Sequence, residues 1–478
     1  MAKEKLIFKR AFGLIMKKYS FNNYVAFVCL LVTLGACNVA KTYKAPEDVS
    51  PNLYRNNSNG DTTNLGFLSY KQVFTDTILQ GLIGIGIEKN PNLQIAYTRI
   101  KQADALYLQS GATLLPALNS NAGITVSKLS EAQGFGIRNS ATQYQLGLSS
   151  SWEADIWGRL RSNRRANLAS LLQTEAAAKA VQTGLIAAIA NFYYTLLALD
   201  QQLVITQQTV YNWDTTVNTI KELKKAARVT EAAVVQSEAQ RYAAEVTIPD
   251  LKQQILETEN ALSILLGNDP AAIRRGKITE QQTLSVLQTG VPAQLLANRP
   301  DVQQAELQFR NNFELTNVAR ASFYPTLSIT ASSGLSAFSF ANFLGVGGFG
   351  ASIGAGLLQP IFNQRNNRTR LLVAQAQQQE AFINFQNTLL NAGREVSNAV
   401  SLHQTAMDKM LVRTHQLNSL QLSVEYSQEL LRYGFANYTE VINARQFLLQ
   451  AQLSGVNDQL QQLQATVNLY RALGGGSR

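Results

Sequence analysis

Residues 327–337, LSITASSGLSA, have the alternation of a β-strand whose two faces meet different surroundings. Leucine, isoleucine or alanine occupies almost every second position, and serine, threonine or glycine lies between them. Residues 118–126, 142–153 and 349–357 alternate in the same way. Each segment is close to the ~9–11 residues that a strand needs to cross a bilayer. The pattern predicts lipid on one face and water on the other, although a half-buried soluble sheet alternates similarly.

These strands come in two pairs because the chain is internally duplicated. Segments 91–116 and 300–325 each begin and end with proline, and they are offset by 209 residues. Further along, Leu266-Gly267 matches Leu473-Gly474 at an offset of 207 residues. Each half therefore runs from a helix through a strand pair into a very long helical stretch, and a repeat of this kind sets the fold.

Proline positions and apolar spacing predict the long helices. No proline occurs from 117 to 248 or from 361 to 478, and proline in a helix interior costs about 3 kcal/mol or more. Apolar residues over 449–470 alternate spacings of four and three, as in the seam of a coiled coil. Residues 364–432, if they form one helix, would extend for roughly 100 Å. Pro249 is expected to interrupt the equivalent helix of the first half.

The N-terminus has the pattern of an export signal. Basic residues are followed by an apolar run, 24–34, which is too short to span a bilayer but typical of a signal peptide. The run ends in Leu34-Gly35-Ala36-Cys37, which resembles the bacterial lipobox, so we expect Cys37 to be acylated and to begin the mature protein. A plain signal peptide with an incidental cysteine is the alternative. By resemblance to enteric lipoproteins, Asn38 favours the outer membrane.

The net charge of +10 does not indicate a nucleic-acid partner. Residues 1–36 contain six basic residues and one acid; the remaining chain has 36 basic and 31 acidic residues, a net charge of +5. This excess is spread along the chain, apart from a short cluster at 159–165.

The sequence offers little for catalysis, metal binding or cofactor binding. Residues 345–350 satisfy GxGxxG, but neither the helix nor the acid that a dinucleotide site needs follows them, so we interpret them as a hairpin turn. His403 lies on an apolar helical seam, and His415 follows without metal-ligand spacing. HExxH and P-loop motifs are absent from the sequence. We therefore expect no catalytic residue, no metal and no cofactor.

The signal and the duplication together predict five segments. They are a signal peptide at 1–36, a lipid-anchored segment at 37–77, a first repeat at 78–267 with strands at about 118–155, a linker at 268–299, and a second repeat at 300–474 with strands at about 327–358.

Several stretches of the sequence carry a family resemblance. They are NPNL at 90–93, LP at 115–116, WEADIWGRL at 152–160, PAQLLANRPD at 292–301, and YG at 433–434 with EV at 440–441. The stretch 292–301 is the most specific of them. Over about residues 70–474 the chain resembles the TolC-like outer-membrane factors, specifically the lipoprotein subgroup that serves resistance-nodulation-division (RND) efflux pumps.

The resemblance implies an α+β membrane protein that assembles as a homotrimer. Each chain would give four strands to a twelve-stranded outer-membrane β-barrel, and a periplasmic α-helical coiled-coil barrel would continue it. Segments 38–77 and 268–299 would help to form a belt around the tunnel. The implied partners are outer-membrane lipid, a periplasmic membrane-fusion adaptor and an inner-membrane RND transporter.

The strands themselves lead part of the way to a trimer. Four strands cannot close a barrel, and open strand edges are not tolerated in lipid. Single-chain barrels start at about eight strands, so the strands must be shared between chains in multiples of four. Two chains would give a barrel of about eight strands, whose interior side chains fill it, whereas three would leave room for a pore. The small inward residues fit the larger lumen.

Three groups of site residues are predicted. Aromatic residues at one end of the strands would lie at a membrane interface, with the capping of a soluble core as the alternative. By resemblance, the turns of the helical hairpins at 224–232 and 431–439 would meet the adaptor, and two acids before the second turn, with a glutamine where the family pattern has an acid, would line a closed mouth. A solvated outer face is an equal alternative for these acids, and Gly434 could simply cap a helix. The residues are Trp152, Trp157, Phe323, Tyr324 and Phe362; Val229, Thr230, Tyr433 and Gly434; and Glu425, Gln428 and Glu429.

The expected function is that of a channel and not of an enzyme. We expect the outer-membrane exit channel of a tripartite RND-type pump, a passive conduit for drugs, toxic compounds or metal ions from the periplasm to the exterior. One alternative is the outer-membrane channel of a type I protein secretion system. Another, from a different class, is a secreted coiled-coil structural or adhesion protein, which would not explain four amphipathic strands in two matched pairs.

Overall fold

A computed structural model of the chain describes residues 39–46, 53, 65–128, 140–282 and 298–477. Among these residues are eight helices longer than ten residues and four strands. They are α1 (Thr77–Lys89), α2 (Pro91–Ala112), β1 (Ala117–Lys128), β2 (Ser140–Ala154), α3 (Arg159–Lys225), α4 (Glu231–Glu245), α5 (Thr247–Leu265), α6 (Pro300–Ala321), β3 (Thr326–Ala337), β4 (Phe349–Leu358), α7 (Asn366–Tyr433) and α8 (Tyr438–Ala472). Cys37, the predicted signal segment and residues 283–297 of the predicted linker lie outside the described residues.

The elements confirm the internal repeat. Helices α2 and α6 each have 22 residues, and α3 and α7 have 67 and 68 residues. Helix α8 has 35 residues, and α4 and α5 with Val246 between them cover the equivalent stretch. The offset is 209 residues up to the strands and 207 after them. The second half is therefore two residues shorter only across its strand pair.

Pro249 interrupts the return helix of the first half, as predicted. The break lies at Val246, and helix α5 begins at the next residue. Proline has no N–H group, so it cannot donate to the carbonyl four residues earlier, at Glu245, which is the last residue of α4. The equivalent helix α8 carries Val456 at this position and is continuous.

The four strands form one antiparallel sheet in the order β1-β2-β3-β4. Each strand begins and ends within two residues of its predicted segment. The pairing of β2 with β3 joins the two halves of the repeat into a single sheet. Residues 345–348 lie in the connection from β3 to β4, as the predicted hairpin turn requires, and residues 349 and 350 already belong to β4.

The chain divides into two compact units, each drawn from both halves of the repeat. The first comprises the described residues of the ranges Met1–Ala45, Gln102–Leu171 and Leu307–Phe382, and it contains the whole sheet. Polar contacts fix its helices to one another. Arg165 on α3 donates to both carboxylate oxygens of the buried Glu314 on α6, at 2.8 and 2.9 Å.

The second unit comprises the described residues of the ranges Pro46–Lys101, Leu172–Glu306 and Ile383–Arg478. Its apolar core gathers side chains from α1, α3, α5, α7 and α8, and Tyr193 and Tyr470 are fully buried there. Among the described helices, α3 alone is long and apolar enough to cross a membrane. More than half of the most apolar 18-residue segment of α3 is buried inside the protein, as in an ordinary core helix.

Left-handed glycines end both return helices in this unit. Gly267 follows α5 with φ 68°, and Gly474 follows α8 with φ 81°. A Cβ at Gly267 would lie 2.5 Å from the carbonyl oxygen of Lys89, and a Cβ at Gly474 would overlap the carbonyl oxygen of Asn298. The return helix of each half thus packs its end directly against the backbone that precedes α2 or α6, which explains why the Leu-Gly pair recurs in the sequence.

We expect Gly267→Ala to destabilise the protein by about 1–3 kcal/mol, because alanine is strained at positive φ and its Cβ would meet a backbone carbonyl. The matched control is Gly184→Ala in the interior of α3, where a Cβ meets nothing within 4 Å. That change should be neutral or stabilise by up to about 1 kcal/mol. Thermal unfolding of the purified protein in detergent, followed by circular dichroism, measures both. Equal midpoints for the two variants would contradict the junction described above.

Candidate functional site

The sheet has one apolar face and one face of small polar residues. In an antiparallel register, residues opposite one another point to the same side. Leu146 lies between Ala122 and Leu335 in one row, and Gly147 lies opposite Gly334 in the next. The alternation of all four strands is therefore in register across the sheet. The apolar face is open to its surroundings, and Val126 and Ile353 are 74% and 81% exposed.

Within the part of the chain that the structure describes, both edges of this sheet are open. Strands β1 and β4, of 12 and 10 residues, each pair on one side only. A long, exposed edge presents a row of unpaired N–H and C=O groups and readily pairs with another strand. An exposed apolar face bounded by two such edges is what a segment of a larger barrel would present.

The predicted interface aromatics lie near the end of the sheet at which β1 and β3 begin. Several are fixed by indole hydrogen bonds and ring contacts. Trp152 donates to the carbonyl of Leu114 (2.9 Å), and Trp157 donates to that of Pro325 (2.7 Å). The rings of Trp157 and Tyr324 lie 4.8 Å apart. These residues, with the exposed fractions that the structure gives, are Trp152 (36%), Phe323 (40%), Tyr324 (38%) and Phe362 (86%), and the half-buried Trp157.

A second aromatic group lies at the opposite end of the sheet. The Tyr144 ring on β2 lies 5.7 Å from that of Phe340 and 6.3 Å from that of Phe343, both in the connection from β3 to β4. Aromatic girdles at both ends of the strands are typical of membrane barrels.

Both helical hairpins turn in the same way. Ala227 follows the end of α3 with φ 55°, and Gly434 follows α7 with φ 83°, again 207 residues apart. The next N–H donates back across the last turn of the helix, over 2.9 Å at Arg228 and 2.8 Å at Phe435. This is the Schellman arrangement. The left-handed backbone predicted at Gly434 is confirmed, but the first hairpin uses alanine there.

Arg228 connects the two turns. Its guanidinium donates to the carbonyl of Arg432 (3.4 Å) in the last turn of α7, where the helix dipole is negative. It also occupies the space that a Cβ on Gly434 would need. The predicted docking residues therefore belong to two adjoining turns: Val229, Thr230, Tyr433 and Gly434.

The predicted mouth residues differ in their contacts. Glu425 and Glu429 are exposed on α7, and Glu429 pairs with Arg432 at 3.4 Å. Gln428 is half-buried, and its amide oxygen, in the orientation that satisfies the amide, accepts from the guanidinium of Arg445 on α8. The glutamates are thus free to face either a lumen or the outside, whereas Gln428 ties α7 to α8.

Arg445 was not predicted as a site residue. Its guanidinium lies 6.0 Å from the centre of the buried Trp213 ring on α3, and burial lowers its pKa. No carboxylate within the described residues lies close enough to pair with it. A cavity of about 420 Å³ adjoins it, between α3, α7 and α8. No spacing in the sequence indicates that Trp213 and Arg445 meet.

The described residues contain no group of three His, Cys, Asp or Glu side chains that could hold a metal ion. The features that remain are a sheet with open edges, aromatic girdles and paired helical turns.

Comparison with known proteins identifies the family to which a chain with these features belongs. The family model described as outer membrane efflux protein matches residues 82–268 and again 291–475, one match for each half of the repeat. The chain belongs to the outer membrane efflux protein family. It is similar to the solvent efflux pump outer membrane protein SrpC of Pseudomonas putida, with 28% identity over 93% of this chain and 97% of that protein. It is equally similar to the cation efflux system protein CusC of Escherichia coli K12, with 28% identity over 94% and 98%.

Solved structures show the same fold. A membrane protein from Pseudomonas aeruginosa superimposes with a TM-score of 0.85 at 26% identity, over 92% of this chain and 98% of that chain. A structure of CusC superimposes with a TM-score of 0.82 at 22% identity, over 92% and 100%. This efflux protein is thus an outer-membrane channel protein and not an enzyme.

The alanine in the first hairpin turn of this efflux protein gives a local prediction. Ala227→Gly should relieve the strain of positive φ and stabilise the turn by about 1 kcal/mol. Amide hydrogen exchange at Arg228, whose N–H closes the turn, should slow by roughly fivefold. Gly434→Ala is the mirror control and should speed exchange at Phe435. Unchanged exchange in both variants would mean that backbone strain at these turns is negligible.

Proposed function

We propose that three copies of this chain close one twelve-stranded barrel and form the exit channel of a tripartite efflux pump. The observation that carries the proposal is the exposed four-stranded sheet, apolar on one face, with both edges open. Backbone groups in lipid must be satisfied within the protein, so β4 of one copy must pair with β1 of the next. Two copies would give too few strands for an open lumen, whereas three leave a pore lined by the glycine and serine face.

The other components of the proposed pump are a periplasmic membrane-fusion adaptor and an inner-membrane RND transporter. Support comes from the relatives, several of which are named as the outer membrane protein of an efflux pump. The channel itself holds no energy source, so transport is driven by the inner-membrane partner. A type I secretion channel would share the barrel, but the relatives' names favour the pump.

Small molecules are the proposed cargo. Relatives at 26–28% identity are named for solvents, toluene, cations and antibiotics. A lumen face of glycine, serine, threonine and asparagine offers few specific contacts, so selection among such compounds would be made by the transporter.

The segment boundaries and the lipid anchor are also proposals. We propose acylation at Cys37 after removal of residues 1–36, the segment 37–77 as the anchored region, repeats at 78–267 and 300–474, and 268–299 as a belt around the tunnel. A relative at 25% identity, SilC of Salmonella typhimurium, is named as a probable outer membrane lipoprotein. The aromatics from Trp152 to Phe362 would then mark the periplasmic membrane interface.

The two adjoining hairpin turns are the proposed docking site for the adaptor. Gly434→Val should lower adaptor affinity at least tenfold, about 1.4 kcal/mol, because valine is strained at φ 83° and displaces Arg228 from the second turn. The trimer should melt within a few degrees of the wild type. Pull-down or interferometry with the purified adaptor measures the binding. Gly184→Val, in the middle of α3, is the control, and unchanged binding with an earlier melting trimer would rule out the docking role.

Single-channel conductance in planar bilayers tests the proposed function itself. The purified protein should form pores, and none at all would contradict the channel. Glu425→Gln combined with Glu429→Gln should reduce cation preference and block by divalent ions, because threefold symmetry would bring six carboxylates round one axis. Gln428 stays unchanged because it is tied to α8.

The matched control for that double variant is Glu257→Gln with Glu380→Gln. Both of these glutamates are exposed on helices and neither lies near the hairpin turns, so the loss of charge is the same. Equal conductance, selectivity and divalent block in the two double variants would place Glu425 and Glu429 on a solvated outer face.

A further inference from the structure

A polar cavity of about 450 Å³ lies in the first unit, beside the end of the sheet that carries Trp157. Residues 39–43 form one wall, and the turn from β2 into α3 and one side of α6 form the others. This volume is in the range of small-ligand sites, ~300–1,000 Å³. The functions proposed for the sheet and for the hairpin turns do not involve this cavity.

Basic residues dominate the lining. Arg161, Arg165, Arg310 and Lys41 all line it, against a single carboxylate, Glu314. A second acid, Asp155, lies close by and holds Arg161 at 3.0 Å. Two of the four positive charges are therefore neutralised, by Asp155 and by Glu314.

Among the described residues, two charges remain uncompensated, those of the exposed Lys41 and of the half-buried Arg310. No ion pair joins Arg310 to any carboxylate in the described part of the chain, and its buried Nε has no hydrogen-bond partner there. Glu314, one turn along α6, is already taken by Arg165 and by the amide of Asn317. The Arg310 guanidinium instead lies 5.6 Å from the centre of the Tyr43 ring. A guanidinium with open donors is the group that proteins use to bind phosphate.

The wall formed by residues 39–43 is held in place. The side-chain amide of Asn317 on α6 accepts from the N–H of Lys41 (3.1 Å) and donates to its carbonyl (2.9 Å). Tyr43 packs edge-on against Phe309 and Phe313. This wall begins at Val39, two residues after Cys37, and it lies beside the proposed membrane interface.

We propose that this cavity binds a phosphate group, with Arg310 as its main ligand and Lys41 as a second cation. The phosphate could belong to the headgroup of an anionic phospholipid or be free inorganic phosphate. A headgroup fits the place of the cavity, next to Trp157 and to the start of the mature chain. The inference needs the outer-membrane location but neither the trimer nor the adaptor.

Binding is measured on the purified full-length protein in a neutral maltoside detergent without phosphate. The probes are dioctanoylphosphatidylglycerol, dioctanoylglycerol, which lacks the phosphate, and inorganic phosphate. The wild type should bind the phospholipid at least tenfold more tightly than the diacylglycerol. Arg310→Gln should weaken phospholipid binding about tenfold or more, the usual effect of losing a charged hydrogen bond. Arg310→Lys, which keeps the charge, should restore part of it.

The control is Arg164→Gln on α3, which removes the same charge close by. Arg164 contacts Tyr107 and does not line the cavity. Competition by inorganic phosphate would identify phosphate itself as a ligand, and binding of the phospholipid alone would identify the headgroup. Equal binding of phospholipid and diacylglycerol by the wild type would overturn the proposal without any variant. Equal losses in Arg310→Gln and Arg164→Gln would overturn it as well.

Discussion

The open edges of the four-stranded sheet are the constraint on which the rest of this protein depends. In water, an unpaired strand edge can hydrogen-bond to solvent, but in lipid each unsatisfied backbone group costs several kcal/mol. The apolar face of the sheet requires lipid, and lipid requires closed edges. A chain with four strands would meet both requirements by sharing its barrel with further copies, as proposed above.

The two halves of the repeat end their return helices in the same way. In each half the return helix ends against the backbone that precedes α2 or α6, at Gly267 or at Gly474. A residue with a Cβ could not make this approach at positive φ. The hairpin turns are less strict, since Ala227 adopts the left-handed conformation that Gly434 has in the other half. Tight backbone contact, and not the turn itself, thus makes glycine necessary.

The sequence predicts the local elements of this protein well because their signals are local. Alternation located all four strands within two residues, and proline located the break between α4 and α5. Contacts between distant segments leave no such signal. Arg228 reaches Arg432, and Arg445 meets Trp213, through the packing of helices that are more than 200 residues apart in sequence. The candidate site was therefore predictable as segments, whereas the side chains that join those segments were not.

The stretch 292–301, which is the most specific part of the family resemblance, contains one buried arginine, Arg299. Arg299 donates to both oxygens of Asp301, to Glu395 on α7 and to the last carbonyl of α8, at Ala472. Burial alone would raise the pKa of Asp301, but the hydrogen bonds from Arg299 outweigh it and hold that pKa below its usual value.

In the first half, Asn90 occupies the equivalent position and donates to the equivalent carbonyl, that of Leu265. The single amide of Asn90 is enough in the first junction, because only the carbonyl at the end of α5 needs a donor. The second junction holds α7 as well as the end of α8, so it needs the several fixed donors of the Arg299 guanidinium, which a lysine would not provide. The two junctions therefore share one geometry at the end of the return helix, and the second junction holds α7 in addition.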